Sequence, residues 1–176
     1  MFNQTLVVTS PKLGSGMMLK ATRDWKVAAS MVAQTGGPLT VTTGVDRALT
    51  GNAAIQRVNQ VLEDAYLPNK GQTGWFNPAA FAQPAIGSFG NMGALALRGP
   101  GAFTVNTALS RAFKIHERHT IEVRGEAFNL LNWVNVYNPV TSLSATNFGL
   151  IVPTAAGFGS AATDPRIVQF ALKYVF

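Results

Sequence analysis

The segment RIVQFALKYVF at residues 166–176 places an aliphatic or aromatic side chain at every second position. These positions are Val168, Phe170, Leu172, Tyr174 and Phe176. Side chains of a β-strand alternate between its two faces, so a repeat of two predicts a strand with one apolar face. A soluble sheet accounts for such a face. It accounts less well for aromatic side chains that continue to the last residue, where most chains become polar.

The low content of charged residues restricts the class of protein. Charged side chains make up 12% of the 176 residues, which is about half of the roughly 25% usual for soluble domains. Hydrophobic residues reach 47%, yet no apolar run approaches the roughly 20 residues that a membrane helix requires. The composition therefore predicts either a soluble β protein or a part of a membrane β-barrel.

The excess of basic residues does not indicate nucleic-acid binding. Lys and Arg outnumber Asp and Glu by 14 to 8, but the densest stretch, residues 111–124, interleaves acidic side chains with the cations. Because there is no basic run or aromatic-basic motif, we expect no nucleic-acid partner. The chain has no cysteine, which excludes disulfides and thiolate metal sites. The segment MFNQTLVVTSPK lacks the basic and apolar regions of a signal peptide, so we expect none there.

Four more segments have strand patterns, which brings the expected total to about five antiparallel strands. The predicted strands lie near residues 2–9, 24–43, 102–115, 119–131 and 166–176. The second of these contains a glycine kink, and the pattern of the first does not assign its faces. Arg111 is an exception on the apolar side of its strand, close to a turn, where a long side chain can snorkel to a boundary.

The predicted connections alternate in length. Two long loops, residues 44–101 and 132–165, fall at the same end of the antiparallel set, and shorter connections lie at the other end. Loops longer than about 12–15 residues are uncommon in compact soluble domains, whereas outer-membrane barrels combine short periplasmic turns with long external loops. We therefore predict an all-β fold, one β unit over residues 1–176, that is part of an outer-membrane-type barrel or of an assembled β-sheet.

No arrangement of residues favours an enzyme. His116 and His119 lie on a predicted turn with no third metal ligand nearby in sequence. Glu122 and Glu126 are about 13 Å apart on one strand face, which separates them too far for an acid and base pair. We expect no catalytic residue, no metal and no cofactor.

The polar strand faces predict a barrel lumen instead. Lys114, Glu122, Arg124 and Glu126 would form a ladder of charged side chains there. A hairpin that is symmetrical about Arg118 would place Lys114 directly opposite Glu122, a favourable cross-strand pair.

The aromatic residues of the first long loop are the remaining candidates for a binding site. Tyr66, Trp75 and Phe76 could contact a flat apolar ligand or a sugar at an external surface, or they could pack the loop against the sheet. Within this loop, residues 53–64 have apolar side chains at helical spacing, which predicts a short helix.

Three motifs in this order resemble a known family. They are RGPG at residues 98–101, EAFNLLN at residues 126–132 and DPRIVQFALKYVF at residues 164–176. The chain resembles the C-terminal end of TonB-dependent receptor-like outer-membrane proteins, and most closely the group with a carboxypeptidase-regulatory-like domain at the N-terminus. The resemblance extends upstream through DWKVAASMVAQTGGPLTVTTGVDRALTG and WFNPAAF.

The resemblance implies a barrel of about 22 strands with an N-terminal plug, which imports large substrates using energy from an inner-membrane partner. It also implies that the terminal strand, with Tyr174 and Phe176 above all, is read by the barrel-assembly machinery and closes the ring. We expect no plug within these residues. About five strands are too few for a membrane barrel, because bacterial barrels have at least about eight.

The open edges of such a sheet leave three functional hypotheses. The first is the C-terminal portion of an outer-membrane transporter, with the remaining barrel strands and outer-membrane lipid as its partners. The second is an extracellular or cell-surface subunit that exchanges strands with copies of itself in an oligomer or filament. The third is a soluble β-sandwich that acts as a binding module.

Deletion of residues 169–176 tests the role of the terminal strand. The full chain in plain buffer should either require detergent or associate in an ordered way, because strand segments such as residues 102–109 and 168–172 lack the lysines and prolines that block pairing. The deletion should abolish the ordered association, since it removes both backbone pairing groups and the aromatic side chains. Light scattering gives the size. A sharp monomer peak with native sheet content by circular dichroism would favour the soluble sandwich.

Overall fold

A computed structural model describes residues 1–11, 15–17, 22–71, 73–116, 119–152 and 165–176. The chain divides into two compact units, each built from separate stretches of sequence. The first contains Met1–Gln34, Ala102–Val134 and Thr163–Phe176, and the second contains Thr35–Gly101 and Asn135–Ala162. The sequence predicted a single β unit with two long loops. The residues of those loops instead form a unit with its own core.

The first unit is a five-stranded antiparallel sheet. Its strands are β1 (Phe2–Thr9), β2 (Trp25–Gln34), β9 (Ala102–His116), β10 (His119–Phe128) and β11 (Ile167–Val175). Their order across the sheet is β1-β2-β9-β10-β11, so the strands of this sheet lie side by side in the order in which they occur in the chain. The predicted all-β, antiparallel fold class is confirmed.

Strand register fixes which side chains share a face. Val27 pairs with Leu109, Leu109 with Gly125, and Gly125 with Phe170, so four strands contribute to one row. Leu6 pairs with Ala29, which assigns the faces of β1 that the sequence pattern left open. Apolar positions of all five strands therefore lie on the same face.

Two predicted strand ends differ from the structure. The strand expected over residues 24–43 ends at Gln34, and the one expected over residues 119–131 ends at Phe128. Residues 35–37 interrupt the first pattern, and Pro38–Leu39 pairs with a partner in the second unit, not with β9. Asn129 and Asn132 have positive φ angles of 48° and 52°, a conformation that ends a strand and that Asn adopts more easily than most residues.

The two ends of the sheet differ in their connections. β1 ends and β2 begins at one end of the sheet, where Thr9 pairs with Lys26. β9 ends and β10 begins at the same end, where His116 pairs with His119, and we call it the hairpin end. Both long connections leave the opposite end, since Gln34 pairs with Ala102 and Phe128 with Ile167. This is the asymmetry that the sequence predicted.

The second unit contains six short strands and one turn of 3-10 helix among its described residues. The elements are β3 (Pro38–Leu39), β4 (Asn59–Gln60), β5 (Tyr66–Gly71), β6 (Gly74–Phe76), η1 (Pro78–Ala80), β7 (Phe81–Ala82) and β8 (Leu97–Arg98). They pair as β3 with β8, β4 with β7 and β5 with β6. The short helix predicted over residues 53–64 is wrong, because this segment has no helix and contains β4.

Gly99, the first glycine of the RGPG motif, and Gly36 allow two backbone segments to approach closely beside β3 and β8. A Cβ atom on Gly36 would collide with the carbonyl oxygen of Gly99. A Cβ atom on Gly99 would collide with Oδ1 of Asn138. Any side chain at either glycine would therefore force these segments apart, and only glycine allows the backbones to come so near.

Aromatic rings form the centre of the second unit. Phe76 is 1% exposed, and its ring lies 6.0 Å from Tyr66, 6.1 Å from Phe81 and 6.0 Å from Phe148, between ring centroids. Val41, Val58 and Leu97 are buried in the same cluster. These residues come from both long connections, which therefore share one core.

A buried glutamine organises the start of the first long connection. The side-chain oxygen of Gln56 accepts hydrogen bonds from the backbone N–H groups of Arg47 at 2.7 Å and Ala48 at 2.9 Å. Its amide group donates to the carboxylate of Asp46, which also accepts from the N–H of Gly51 at 2.7 Å. The bond from Gln56 is the main reason that the pKa of Asp46 is lowered, because it stabilises the charged carboxylate.

Substitution of Phe76 by Ala tests the aromatic core. The variant should lose about 3–5 kcal/mol of stability in the second unit, as expected when a buried ring leaves a cavity. The matched control is Phe89→Ala in the same unit. Because Phe89 is 69% exposed, this variant should lose little stability. Hydrogen exchange of residues 56–82 measures the effect locally. Equal protection in the two variants would contradict the assigned core.

Candidate functional site

The two faces of the sheet have different chemistry. We call the first the apolar face. Its residues are Phe2, Gln4, Leu6 and Val8 of β1, Trp25, Val27, Ala29, Met31 and Ala33 of β2, the odd-numbered residues 103–115 of β9, the odd-numbered residues 121–127 of β10, and Val168, Phe170, Leu172 and Tyr174 of β11. The other face, the polar face, contains Thr, Ser, Asn, Gln, Lys, Arg and Glu together with small and a few aliphatic side chains.

The sheet has no hydrophobic core of its own among its described residues. Every buried hydrophobic side chain found in the described parts of the chain lies in the second unit. On the apolar face, Phe170 is 83% exposed and Leu172 is 72% exposed. Leu6, Leu109 and Val123 are exposed as well. A contiguous apolar surface of this extent is typical of contact with a membrane or with another protein.

Aromatic side chains occupy both ends of the apolar face, and mainly aliphatic side chains lie between them. Near the hairpin end are Trp25, Phe113 and Tyr174, which we call the hairpin belt. At the opposite end the ring of Phe103 lies 6.2 Å from that of Trp133, with Phe2 nearby in register.

The spacing of these two aromatic groups matches a bilayer. From Phe103 to Phe113 the strand rises about 34 Å at ~3.4 Å per residue. At the strand tilt of about 35–45° found in membrane barrels, that length corresponds to a height near 25 Å, the height of their apolar band. The aromatic groups would then lie at the two interfaces.

The hairpin belt is fixed by specific contacts. The ring of Tyr174 stacks on that of His119 with a centroid distance of 5.8 Å, and its hydroxyl oxygen lies 2.6 Å from Nδ1 of His119. The sequence pattern placed His119 on a turn, but it belongs to β10 and contacts the terminal strand. The ring of Phe176 lies 5.8 Å from that of Tyr174.

The structure places the predicted terminal-strand residues together at one edge of the sheet. Val168, Phe170, Leu172 and Tyr174 share the apolar face, and Phe176 follows the end of β11. The ring of Phe170 covers Gly125 of β10, where an added Cβ atom would lie only 3.3 Å from that ring. Their role in barrel assembly stays a prediction.

The four residues of the predicted lumen ladder lie on the polar face, but one of their pairings is wrong. Lys114 pairs with Thr120, and Glu122 lies between Ala112 of β9 and Lys173 of β11. His116 pairs with His119, one position from the symmetrical register, and an irregularity at His119 and Thr120 adds a second position, so Thr120 pairs with Lys114. A shift of two keeps every side chain on its predicted face, because faces alternate with a period of two.

The rest of the ladder is connected by side-chain contacts. Arg124 forms a salt bridge with Glu126, and Gln169 of β11 donates a hydrogen bond to Glu126. At the hairpin end the polar face borders a cleft of about 540 Å³ whose lining includes Lys26, Lys114 and Glu122. The arrangement is a hydrophilic surface with both signs of charge.

The motif EAFNLLN contacts Arg166, just before β11. The side-chain oxygen of Asn132 accepts a hydrogen bond from the backbone N–H of Arg166 at 3.0 Å. Asn129 is buried, and its side chain both accepts from the N–H of Trp133 at 3.0 Å and donates to the carbonyl oxygen of the same residue at 3.0 Å. These bonds hold Trp133 at the end of the sheet and direct the chain into β11.

The loop aromatics are packing residues in the structure. Phe76 lies in the core, as the packing alternative describes, and its buried ring is not exposed to a ligand. Tyr66 and Trp75 pack against that core and both bond to Arg98, whose N–H lies 2.8 Å from the Tyr66 hydroxyl and whose carbonyl oxygen accepts from the Trp75 indole at 3.0 Å. The cation of Lys70 lies 4.5 Å from the centre of the Tyr66 ring.

A family model described as outer membrane beta barrel domain matches residues 1–169. The chain belongs to this family. No curated protein and no solved structure matches it. Over the described ranges, no helix combines the length and apolarity needed to cross a bilayer. In those same ranges, no three His, Asp or Glu side chains are grouped as metal ligands would be.

Arginine substitutions along β11 test whether the apolar face contacts lipid. Register places Leu172 level with Arg111, near the hairpin belt, whereas Phe170 is closer to the middle of the face. In a bilayer, Phe170→Arg should cost about 2–4 kcal/mol and Leu172→Arg less, because the cost falls towards the interface. Ala171→Arg on the polar face is the matched control and should cost little. Unfolding in lipid vesicles of the barrel that contains this chain together with its remaining strands measures all three, and equal costs would contradict a lipid-facing surface.

Proposed function

We propose that the chain is the C-terminal portion of a TonB-dependent receptor barrel that imports large substrates across the outer membrane. The observation that supports this most is the apolar face, which covers no core among the described residues and has an aromatic group at each end and a height near that of a bilayer. The family membership places the chain among outer-membrane barrel domains, and the motif resemblance adds the receptor class.

The sheet edges support a place within a larger barrel. β1 and β11 each pair on one side only within the described chain. An unpaired edge cannot remain in a bilayer, because its backbone groups would lack hydrogen bonds. In the proposed barrel β1 pairs with a preceding strand and β11 closes the ring against the first strand. The polar face then lines the lumen, where its charged ladder contacts water, plug or passing substrate.

The proposal assigns no catalytic step and no cofactor to this chain. Its partners are the other barrel strands and the lipid of the outer membrane, and nucleic acid has no role. Both long connections leave one end of the sheet, which in such barrels faces the outside. The second unit would therefore be an external structure.

A self-assembling surface subunit is the alternative that one observation favours. The two unpaired edges of the sheet could satisfy each other between copies of the chain, since β1 and β11 both expose backbone groups along their length. In this alternative the apolar face packs on the same face of another copy.

Epitope tags in the native gene test the proposal. A tag inserted after Gly51, an exposed position with no atom near its missing Cβ, should be labelled by antibody on intact cells. The same tag between residues 117 and 118 should be labelled only after the outer membrane is opened. Labelling of both on intact cells would favour the self-assembling subunit, and recovery of both in the soluble fraction would favour a soluble module.

Import is tested by growth on a panel of large nutrients supplied one at a time at limiting concentration. Cells that lack the gene should fail on at least one nutrient, and the intact gene should restore growth. Equal growth on every nutrient would contradict the proposed role in transport. It would not bear on the membrane placement, which the labelling of the epitope tags tests separately.

A further inference from the structure

Arg111 is the one charged residue among the strand positions of the apolar face, all of which the structure describes. Its cross-strand partners there are Trp25 and Val123. A cation on a surface of this kind is unfavourable unless something compensates for its lost hydration. Contacts with neighbouring aromatic rings supply part of that compensation.

Two aromatic rings hold the Arg111 guanidinium. Its central carbon lies 4.6 Å from the centre of the Phe113 ring and 5.3 Å from the centre of the Trp25 ring. Cation–π contacts of this length attract the charge to the ring faces. Phe113 is two residues nearer the hairpin end on the same strand face, so the side chain of Arg111 extends towards that end.

The depth of Arg111 places its charge at the level of lipid headgroups. In the barrel orientation used above, its Cα lies about 5 Å inside the level of Phe113, from two residues of strand rise and the usual tilt. A long side chain directed to the hairpin end spans that distance. Arginine presents several N–H donors in a planar arrangement that suits phosphate oxygens.

No other cation of the described strands lies on the apolar face at this end. Arg23, which precedes β2, pairs with Asp24 at 3.4 Å. Lys26 and Lys114 are on the polar face, as is the nearby carboxylate of Glu122. Arg111 is thus the cation of the strands that a lipid beside this face would meet.

We propose that Arg111, between Trp25 and Phe113, binds the headgroup phosphate of an anionic phospholipid. This inference rests on the proposed function, because it requires the apolar face to lie in a membrane. The short-turn end of a barrel is its periplasmic end, so the lipid would come from the inner leaflet. The aromatic rings flank the guanidinium and the glycerol region of the lipid, and the charge selects its phosphate.

Quenching of Trp25 fluorescence by brominated lipid tests the site. The chain with Trp75→Phe and Trp133→Phe retains Trp25 as its only tryptophan. It is joined to the remaining strands of its barrel, in which every other tryptophan is replaced by phenylalanine, and the complete barrel is refolded into phosphatidylcholine vesicles. A small fraction of the lipid carries bromine close to the headgroup, either as phosphatidylglycerol or as phosphatidylcholine. Anionic lipid should be enriched about fivefold at Trp25, the ratio that corresponds to the effect of one arginine near a charged membrane surface.

Three variants distinguish a site from general attraction. Arg111→Gln should remove the enrichment, and Arg111→Lys should retain only part of it, because lysine keeps the charge without the planar set of donors. Lys114→Gln, which removes a cation at the same end on the polar face, should leave the enrichment unchanged. Circular dichroism and protease resistance of each variant confirm that the sheet has formed.

The outcomes separate this inference from the proposed function. Quenching by both brominated lipids to the same extent overturns the phosphate site and leaves the membrane placement intact. Equal loss of enrichment in Lys114→Gln and Arg111→Gln also overturns the site, since the attraction would then be diffuse. Absence of quenching by either lipid in the folded protein overturns the membrane placement and the site together.

Discussion

Backbone hydrogen bonding between strands is the interaction on which the rest of this structure depends. Four antiparallel pairings join five strands whose side chains supply no shared core among the residues that the structure describes. In water such a sheet is weak, because a sheet gains stability mainly by burying one face. In a bilayer the same pairings become far more important, since every unpaired N–H or C=O group there costs several kcal/mol. For the same reason, the outer edges of β1 and β11 require neighbouring strands with which to pair.

The two units use hydrophobic residues in opposite ways. The second unit buries its aromatic side chains among themselves, around Phe76 and Phe81, as a water-soluble domain does. The sheet directs its apolar side chains outwards and keeps polar and small ones on the other face. One chain therefore combines a conventional core, built from the long connections, with a surface that is suited to an apolar solvent.

Patterns with a local cause could be predicted from the sequence, and those with a long-range cause could not. The period of two located β9, β10 and β11 and assigned Val123, Phe170 and Leu172 to one face. The pattern could not show that Glu122 lies opposite Lys173, because that pairing depends on an irregularity in the hairpin and on a strand more than forty residues away. Arg111 stood out in the pattern, but only the fold shows Trp25 beside it. The core around Phe76 was missed because its members alternate with glycine and proline and follow no period.

The second unit is assembled from two stretches of chain that the β9–β10 hairpin separates. The N–H of Thr42 donates to the carbonyl oxygen of Thr141 at 2.9 Å, and the N–H of Trp75 donates to that of Gly149 at 2.8 Å. The ring of Phe148 closes the aromatic cluster from the later stretch. The earlier stretch, residues 35–101, therefore remains incomplete until the hairpin has been synthesised and residues up to about 150 have followed it. Contacts so distant in sequence form slowly, and during that interval the unfinished core exposes Phe76 and Phe81, as a substrate for any chaperone that accompanies the chain.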